Sequence, residues 1–306
     1  MGFEDDLKKN QCHSDSVISI GVFDGVHLGH QYLFEALKAT AKLNQIKSGI
    51  LTFINHPASI LNPAFKQQLI DSPKDKIIKL RKTGVDFVIP IHFNTALSTL
   101  TAIQFIKLLQ KHLNMAGLVV GPDFHMGAKR EADVQVLQHL SDQMGFFMAV
   151  PSAYEKSTMP VRSTTIRQLI LEGNIKKAKI LLGVNYMISG KVITGYKRGS
   201  ELGYPTANLQ IDLNRIVPAN GIYATKITIN SQTYNGATSV GSNPTFNNKA
   251  LSIETFILDF NENIYHKNIE VEFIDKIRDQ ITFTSTESLI AQMNKDVIKI
   301  RELLNN

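Results

Sequence analysis

The chain has 306 residues, 43% hydrophobic and 20% charged, with a formal net charge of +6 and a single cysteine. That length and apolar content suit two ordinary domain cores and exclude a disordered chain. One cysteine excludes an intrachain disulfide, no apolar run reaches the ~18 residues of a membrane span, and no basic block marks a nucleic-acid groove. The expected partners are therefore small anions rather than nucleic acid or membrane. The charged start MGFEDDLKKN has no apolar leader core, and the cytoplasm is the expected compartment.

Residues 17–22, VISIGV, read as a buried strand, and Gly21 and Gly25 let the backbone turn sharply. A helix follows, with Leu33, Phe34, Leu37 and Ala41 at one-turn spacing. Its first turn holds His27, Gly29 and His30, so backbone N–H groups, the positive helix end and two imidazoles converge where an anion would be stabilised. The same residues also read as a plain turn with surface histidines, or as a two-histidine metal site.

Strand-like runs recur from Gly49, Asp86, Gly117 and Phe146, alternating with helices that begin at Ser72-Pro73 and Thr101. Such alternation predicts a doubly wound parallel sheet with ligands at the carboxyl ends of its strands. Three polar clusters fall at such ends. Asn55 and His56 follow the second strand and read as ligands or as a turn before Pro57. Asp123 follows the fourth, in GPDFHMG, where it could bind a sugar hydroxyl or simply make a Gly-Pro-Asp turn. In VRSTTIRQLI, Ser163 or Thr164 caps a helix that carries Arg167, either a second anion cradle or an ordinary capped helix.

Two short helices, the second capped by Asn174, end at Gly183, where the domain boundary is placed: residues 1–183 and 184–306. Beyond it, MISGKVIT, IYATKITI, TYNGATSV, SIETFIL and IEVEFIDKI predict an antiparallel barrel. A glycine loop with Gly195, Gly199 and Gly203 carries Lys197 and Arg198 and leads to Thr206 and Asn208. On a strand these two oxygens face the same way and suit one hard cation or a phosphate, although the glycines also read as hairpin turns. Glu254 interrupts an apolar strand, which points to outer-face exposure, a partner or a function. The tail from Ser285 places Leu289, Ile290, Met293, Val297 and Ile300 at helical spacing and should close the barrel.

The pattern G-x-F-D-G-x-H-x-G-H at residues 21–30, with PTAN at 205–208, resembles the prokaryotic bifunctional riboflavin kinase/FAD synthetase family, and matching motifs span nearly the whole chain. The resemblance implies an N-terminal nucleotidyltransferase domain and a C-terminal six-stranded flavokinase barrel. These would convert riboflavin to FMN and FMN to FAD, with ATP and Mg²⁺, the flavins being substrates and products. It implies catalytic roles for His27, His30 and Glu254, the last as general base. Gly21, Phe23, Asp24, Gly25, Gly29, Ser163, Thr164, Arg167, Gly199 and Gly203 would bind nucleotide. Asn55, His56, Asp123, Phe124 and Arg278 would line the flavin sites, and Thr206 and Asn208 would hold Mg²⁺. The chain departs from the family pattern at Asn55, Arg162, Thr165, Ser200 and in LLGVNY. Arg162 and Thr165 put the phosphate clamp in question, so the alternatives are a monofunctional riboflavin kinase and a non-catalytic flavin-binding regulator.

Overall fold

A computed structural model describes residues 3–305 except 63, 66, 157–158, 196–198, 200–201, 213 and 244–247. The chain divides into two compact units, Met1–Arg162 and Ser163–Asn306. In the first, strands β1 (Ser16–Gly21), β2 (Lys47–Phe53), β3 (Phe87–Ile91), β4 (Met115–Val119) and β5 (Phe147–Ala149) form one parallel sheet, in the order β3-β2-β1-β4-β5. Its helices are α1 (Phe3–Lys9), α2 (Leu28–Asn44), α3 (Pro57–Leu61), α4 (Pro73–Arg81), α5 (Thr95–Ser98), α6 (Ala102–Leu113) and α7 (Val134–Met144). A short hairpin, β6 (Glu155–Lys156) and β7 (Met159–Pro160), completes the unit.

Period-two alternation along the strands sorts side chains into two cores, as a sheet covered on both faces requires. Ile18, Ile20, Leu51, Ile89 and Leu118 pack with residues of α1, α6 and α7, while Val17, Ile50, Val88 and Val119 pack with α2 and α4. The helix starts follow local chemistry. Ser72 accepts from the Asp75 amide to cap α4, and Thr101 and Gln104 form a reciprocal capping box on α6. Strand order reverses beside β1, which opens a crevice at the carboxyl ends of β1 and β4.

The second unit begins with α8 (Ser163–Leu171) and α9 (Ile175–Leu182). Packing assigns both helices to this unit, and α9 lies against β8 (Tyr186–Ile193) and β13 (Asn268–Arg278), whereas Gly183 is the left-handed cap that ends α9. Asn174 stands at the expected cap position, but its amide donates to Glu172 and makes no cap bond. Together with β9 (Thr206–Gln210), β10 (Gly221–Ile229), β11 (Gln232–Asn243) and β12 (Asn248–Ile257), strands β8 and β13 close a six-stranded antiparallel barrel, in the order β10-β11-β12-β9-β8-β13. Helix α10 (Thr286–Asn305) covers part of its outer face, where Ile300 and Val297 pack on Ala224, Ala237, Phe256 and Leu258.

Large side chains such as Tyr186, Tyr223 and Phe273 fill the barrel interior, and a line of three buried threonines crosses it. Thr225, Thr238 and Thr255 hydroxyls stand 2.8 and 2.9 Å apart in succession, and Thr225 also donates to the Gly236 carbonyl. Thr238→Val keeps the shape but strips both neighbours of a partner. It should lower the unfolding free energy by about 1–3 kcal/mol, read as a shift in denaturant midpoint without a change in slope.

Candidate functional site

The turn from β1 into α2 is bent by three left-handed residues, Phe23, Gly25 and Val26, of which Gly25 at φ +82° would be strained by any side chain. Phe23 holds the turn from inside: its ring is edge-on to Phe34 at 4.9 Å and to His30 at 5.2 Å, and it lies over Gly21. Asp24 is buried, and its carboxylate accepts from the amides of Ile70 and Asp71, so it braces the turn rather than facing a ligand. The Val22 carbonyl accepts from Thr52 Oγ1 and from Lys76 Nζ.

His27 occupies the N-cap of α2, its Nδ1 accepting from the His30 amide at 3.3 Å. That bond leaves the proton of the neutral ring on Nε2. The His27 and His30 rings stack with centroids 3.6 Å apart, and Gly29 lies against the His27 ring. Burial holds His30 well below its ordinary pKa of 6.5, reinforced by His27 and by the Lys76 ammonium. Two stacked rings, one of them held neutral, and the first-turn amides of α2 form a cradle suited to phosphate.

The other predicted residues of this unit are placed unequally. Asn55 uses both ends of its amide on the Phe93 backbone, at 2.8 and 2.9 Å, and so ties the end of β2 to the end of β3. His56 caps α3 through Nδ1 and stacks on Phe65. Asp123 is exposed in the loop after β4, and Phe124 packs half-buried against the core beneath it. Ser163, Thr164 and Arg167 lie on the first turns of α8, in the barrel unit; the helix starts at Ser163 itself, and Arg167 is buried.

In the barrel, Thr206 and Asn208 flank the buried Ala207 on β9 and share its outer face. Register places Asn208 directly opposite Glu254 and Thr206 opposite Phe256 on β12. Ser252 donates to Glu254 Oε1 at 3.1 Å. The glycine loop approaches this face: a Cβ on Gly195 would stand 2.2 Å from the Asn208 amide nitrogen and would push that side chain aside. Gly199 receives the amides of Leu202 and Tyr204, and Gly203 is left-handed. Tyr204 rests edge-on against Phe256 and donates to Asn294 of α10. Lys197, Arg198 and Ser200 lie outside the described residues.

Thr206 and Asn208 supply two hard oxygen ligands beside a carboxylate, a donor set that fits a magnesium ion shared with nucleotide phosphates. Among the described residues no group of three or more His, Cys, Asp or Glu forms an all-protein metal cage. Arg278 is committed to Asp296 of α10 through Nε and Nη2, and its Nη1 donates to the Asp279 carbonyl. Lys76 and Asn294 are not legible as functional residues in the sequence, because each acts through partners distant in the chain.

A parallel sheet with a histidine-lined phosphate turn, joined to a barrel with an oxygen-ligand face, defines a nucleotide-handling enzyme with two separate sites. Family models agree: one described as FAD synthetase matches residues 9–165, and one described as riboflavin kinase matches residues 182–304. A bifunctional riboflavin kinase/FMN adenylyltransferase of Buchnera aphidicola from Schizaphis graminum is 36% identical over 305 residues, covering 98% of this chain and 96% of that protein. Proteins of the same description from Listeria monocytogenes and Escherichia coli K12 are 36% and 31% identical, over 92% and 94% of this chain and 90% and 92% of their own lengths. A solved structure described as a macrolide-efflux protein from Streptococcus pneumoniae superposes with a TM-score of 0.88 at 33% identity, covering 96% of both chains. No helix among the described residues is long and apolar enough to cross a membrane. The chain belongs to the bifunctional riboflavin kinase/FMN adenylyltransferase family.

Because the folded His30 ring binds its proton more weakly than the unfolded ring, the unfolded chain takes up more protons below pH 6.5. His30 therefore subtracts stability as pH falls below that value. In an imidazole NMR titration, its signals should stay those of a neutral ring from about pH 8 to about pH 6. An ordinary midpoint near 6.5 would contradict the buried, stacked geometry.

Proposed function

We propose that this chain makes flavin nucleotides in two consecutive reactions, each in its own catalytic domain. In the barrel, the Glu254 carboxylate takes the proton from the ribityl 5′-hydroxyl of riboflavin as that oxygen attacks the γ-phosphate of ATP, giving FMN and ADP. Thr206 and Asn208 hold the oxygen face for Mg²⁺, which when bound neutralises phosphate charge. Gly199 and Gly203 bring loop backbone near the phosphates, and Ser252 orients the Glu254 carboxylate.

In the sheet unit, the FMN phosphate attacks the α-phosphorus of a second ATP, giving FAD and pyrophosphate. His27 presents an Nε2 proton to phosphate oxygens, because its Nδ1 is occupied by the His30 amide. His30, held neutral, donates without adding charge to the ground state. Gly21, Phe23, Asp24, Gly25 and Gly29 shape the nucleotide turn; Ser163, Thr164 and Arg167, on α8 within the proposed catalytic domain 1–183, are assigned to the ATP phosphates on the family pattern alone. His56, Asp123 and Phe124 border the flavin here, and Asn55 serves it through the Phe93 backbone, while Arg278, on β13, serves the flavin of the barrel through α10. No covalent enzyme intermediate is needed, since positioning and electrostatic stabilisation lower the barrier.

The observation that carries this reading is that the two motif clusters fold as two built polar sites in two compact units. The catalytic division is proposed near Gly183, giving domains 1–183 and 184–306, and a riboflavin kinase match over residues 182–304 supports that reading. The cytoplasm is the proposed location, since both steps consume ATP.

Flavins separated by chromatography after incubation with riboflavin, ATP and Mg²⁺ test the assignment. His30→Ala should cut FAD formation by about 100-fold or more while FMN formation persists. Glu254→Gln should cut FMN formation by about 100-fold or more while FAD still forms from added FMN. Equal loss of both products in either variant would refute separate sites, and FMN as the sole wild-type product would leave a riboflavin kinase with a silent N-terminal half.

A further inference from the structure

Lys76 sits on the first turn of α4, a position that its sequence neighbours make look solvent-facing, yet it is only 4% exposed. Its stem runs under the nucleotide turn, and Nζ donates to two backbone carbonyls, Val22 at 2.9 Å and Phe53 at 2.5 Å. Those carbonyls close β1 and β2 at the end of the sheet where the ligand crevice opens. The groups that act on this ammonium are Asp24 and Asp71, which favour its charge, while burial lowers its pKa to about 8. On the other side it acts on His30, whose protonation it opposes together with His27.

A buried cation is costly to keep unless it is hydrogen-bonded and used. A neutral side chain of the same length would take the ammonium from both strand-end carbonyls, leaving Val22 with Thr52 Oγ1 alone, and would remove the positive charge beneath the turn. We propose that Lys76 is a positioning residue for adenylyl transfer: its ammonium locks the ends of β1 and β2 beneath the turn that carries His27 and His30. The inference rests on the assignment of FMN adenylylation to this unit. Lys76 touches neither flavin nor nucleotide in this role. Its charge also biases the cradle towards phosphate, through a medium in which charges are poorly screened.

Full-length Lys76→Met and Lys76→Arg variants test this. In Lys76→Met, kcat and kcat/KM for FMN adenylylation should fall together by about tenfold or more, as for an interaction strengthened in the transition state. The His30 ring should become easier to protonate, moving towards its ordinary pKa in an imidazole titration. Lys76→Arg, which keeps charge and donors, should recover most of both properties. Riboflavin phosphorylation should be unchanged in both variants, since it belongs to the other unit.

A folded Lys76→Met protein with wild-type kcat and an unmoved His30 titration would overturn the proposal. A fall in kcat that Lys76→Arg does not relieve, with His30 unmoved, would also overturn it, because the lysine would then be only a packing element. If Lys76→Met does not fold, nitrogen-15 NMR of the wild-type lysine decides: a slowly exchanging Nζ signal supports the two-carbonyl anchor, and free exchange with solvent overturns it. A wild-type protein that forms no FAD would refute the activity assignment, while the titration and the Nζ signal would still report on the lysine.

Discussion

The β1–α2 turn must meet two opposed demands. Its front has to leave helix-start amides and imidazoles directed at a phosphate, while its back must satisfy buried backbone groups at a point where the sheet has run out of strand. Asp24 meets the amides of Ile70 and Asp71, and Thr52 and Lys76 meet the Val22 carbonyl. Three left-handed residues in four positions, Phe23, Gly25 and Val26, are held by these contacts and by the Phe23–Phe34 packing. The reactive front is therefore set by polar contacts that never reach solvent.

The barrel solves a different problem with period-two alternation. Ile253, Thr255 and Ile257 fill the interior, which leaves Ser252, Glu254 and Phe256 on the outer face, opposite Asn208 and Thr206. The carboxylate in this apolar strand thus avoids burial, since it belongs to the outer face it shares with Asn208 and Thr206. Crowding of Gly195 onto Asn208 then restricts how the amide can turn.

Much of this was legible in the sequence. Strand and helix alternation, the capping box at Thr101, the HxGH turn and the PTAN segment are local signals, and the two architectures follow from them. What was hidden is non-local. Asn55 reads from the sequence as a ligand or as part of a turn, and its bond to the Phe93 backbone depends on the adjacency of β2 and β3, which no local pattern encodes. Helix α1 lies in a charged stretch with only Phe3 and Leu7 to mark an apolar side, and both are buried against the sheet and α6. In α4 the hydrophobic pattern points the wrong way: Ile78 is 42% exposed and Lys76 is inside, because strand-end carbonyls need a donor there more than the core needs an isoleucine.

Barrel closure has a consequence for synthesis on the ribosome. β13 pairs with both β8 and β10, and Tyr204 beside the glycine loop is anchored by Asn294 of α10. The face that carries Thr206, Asn208 and Glu254 therefore cannot be completed until Asn294 has been translated. The parallel sheet, by contrast, has all five strands in hand once residue 149 has emerged. A nascent chain stalled between those points would hold a finished sheet and an open, unpaired set of barrel strands, the state in which edge-to-edge aggregation is most probable.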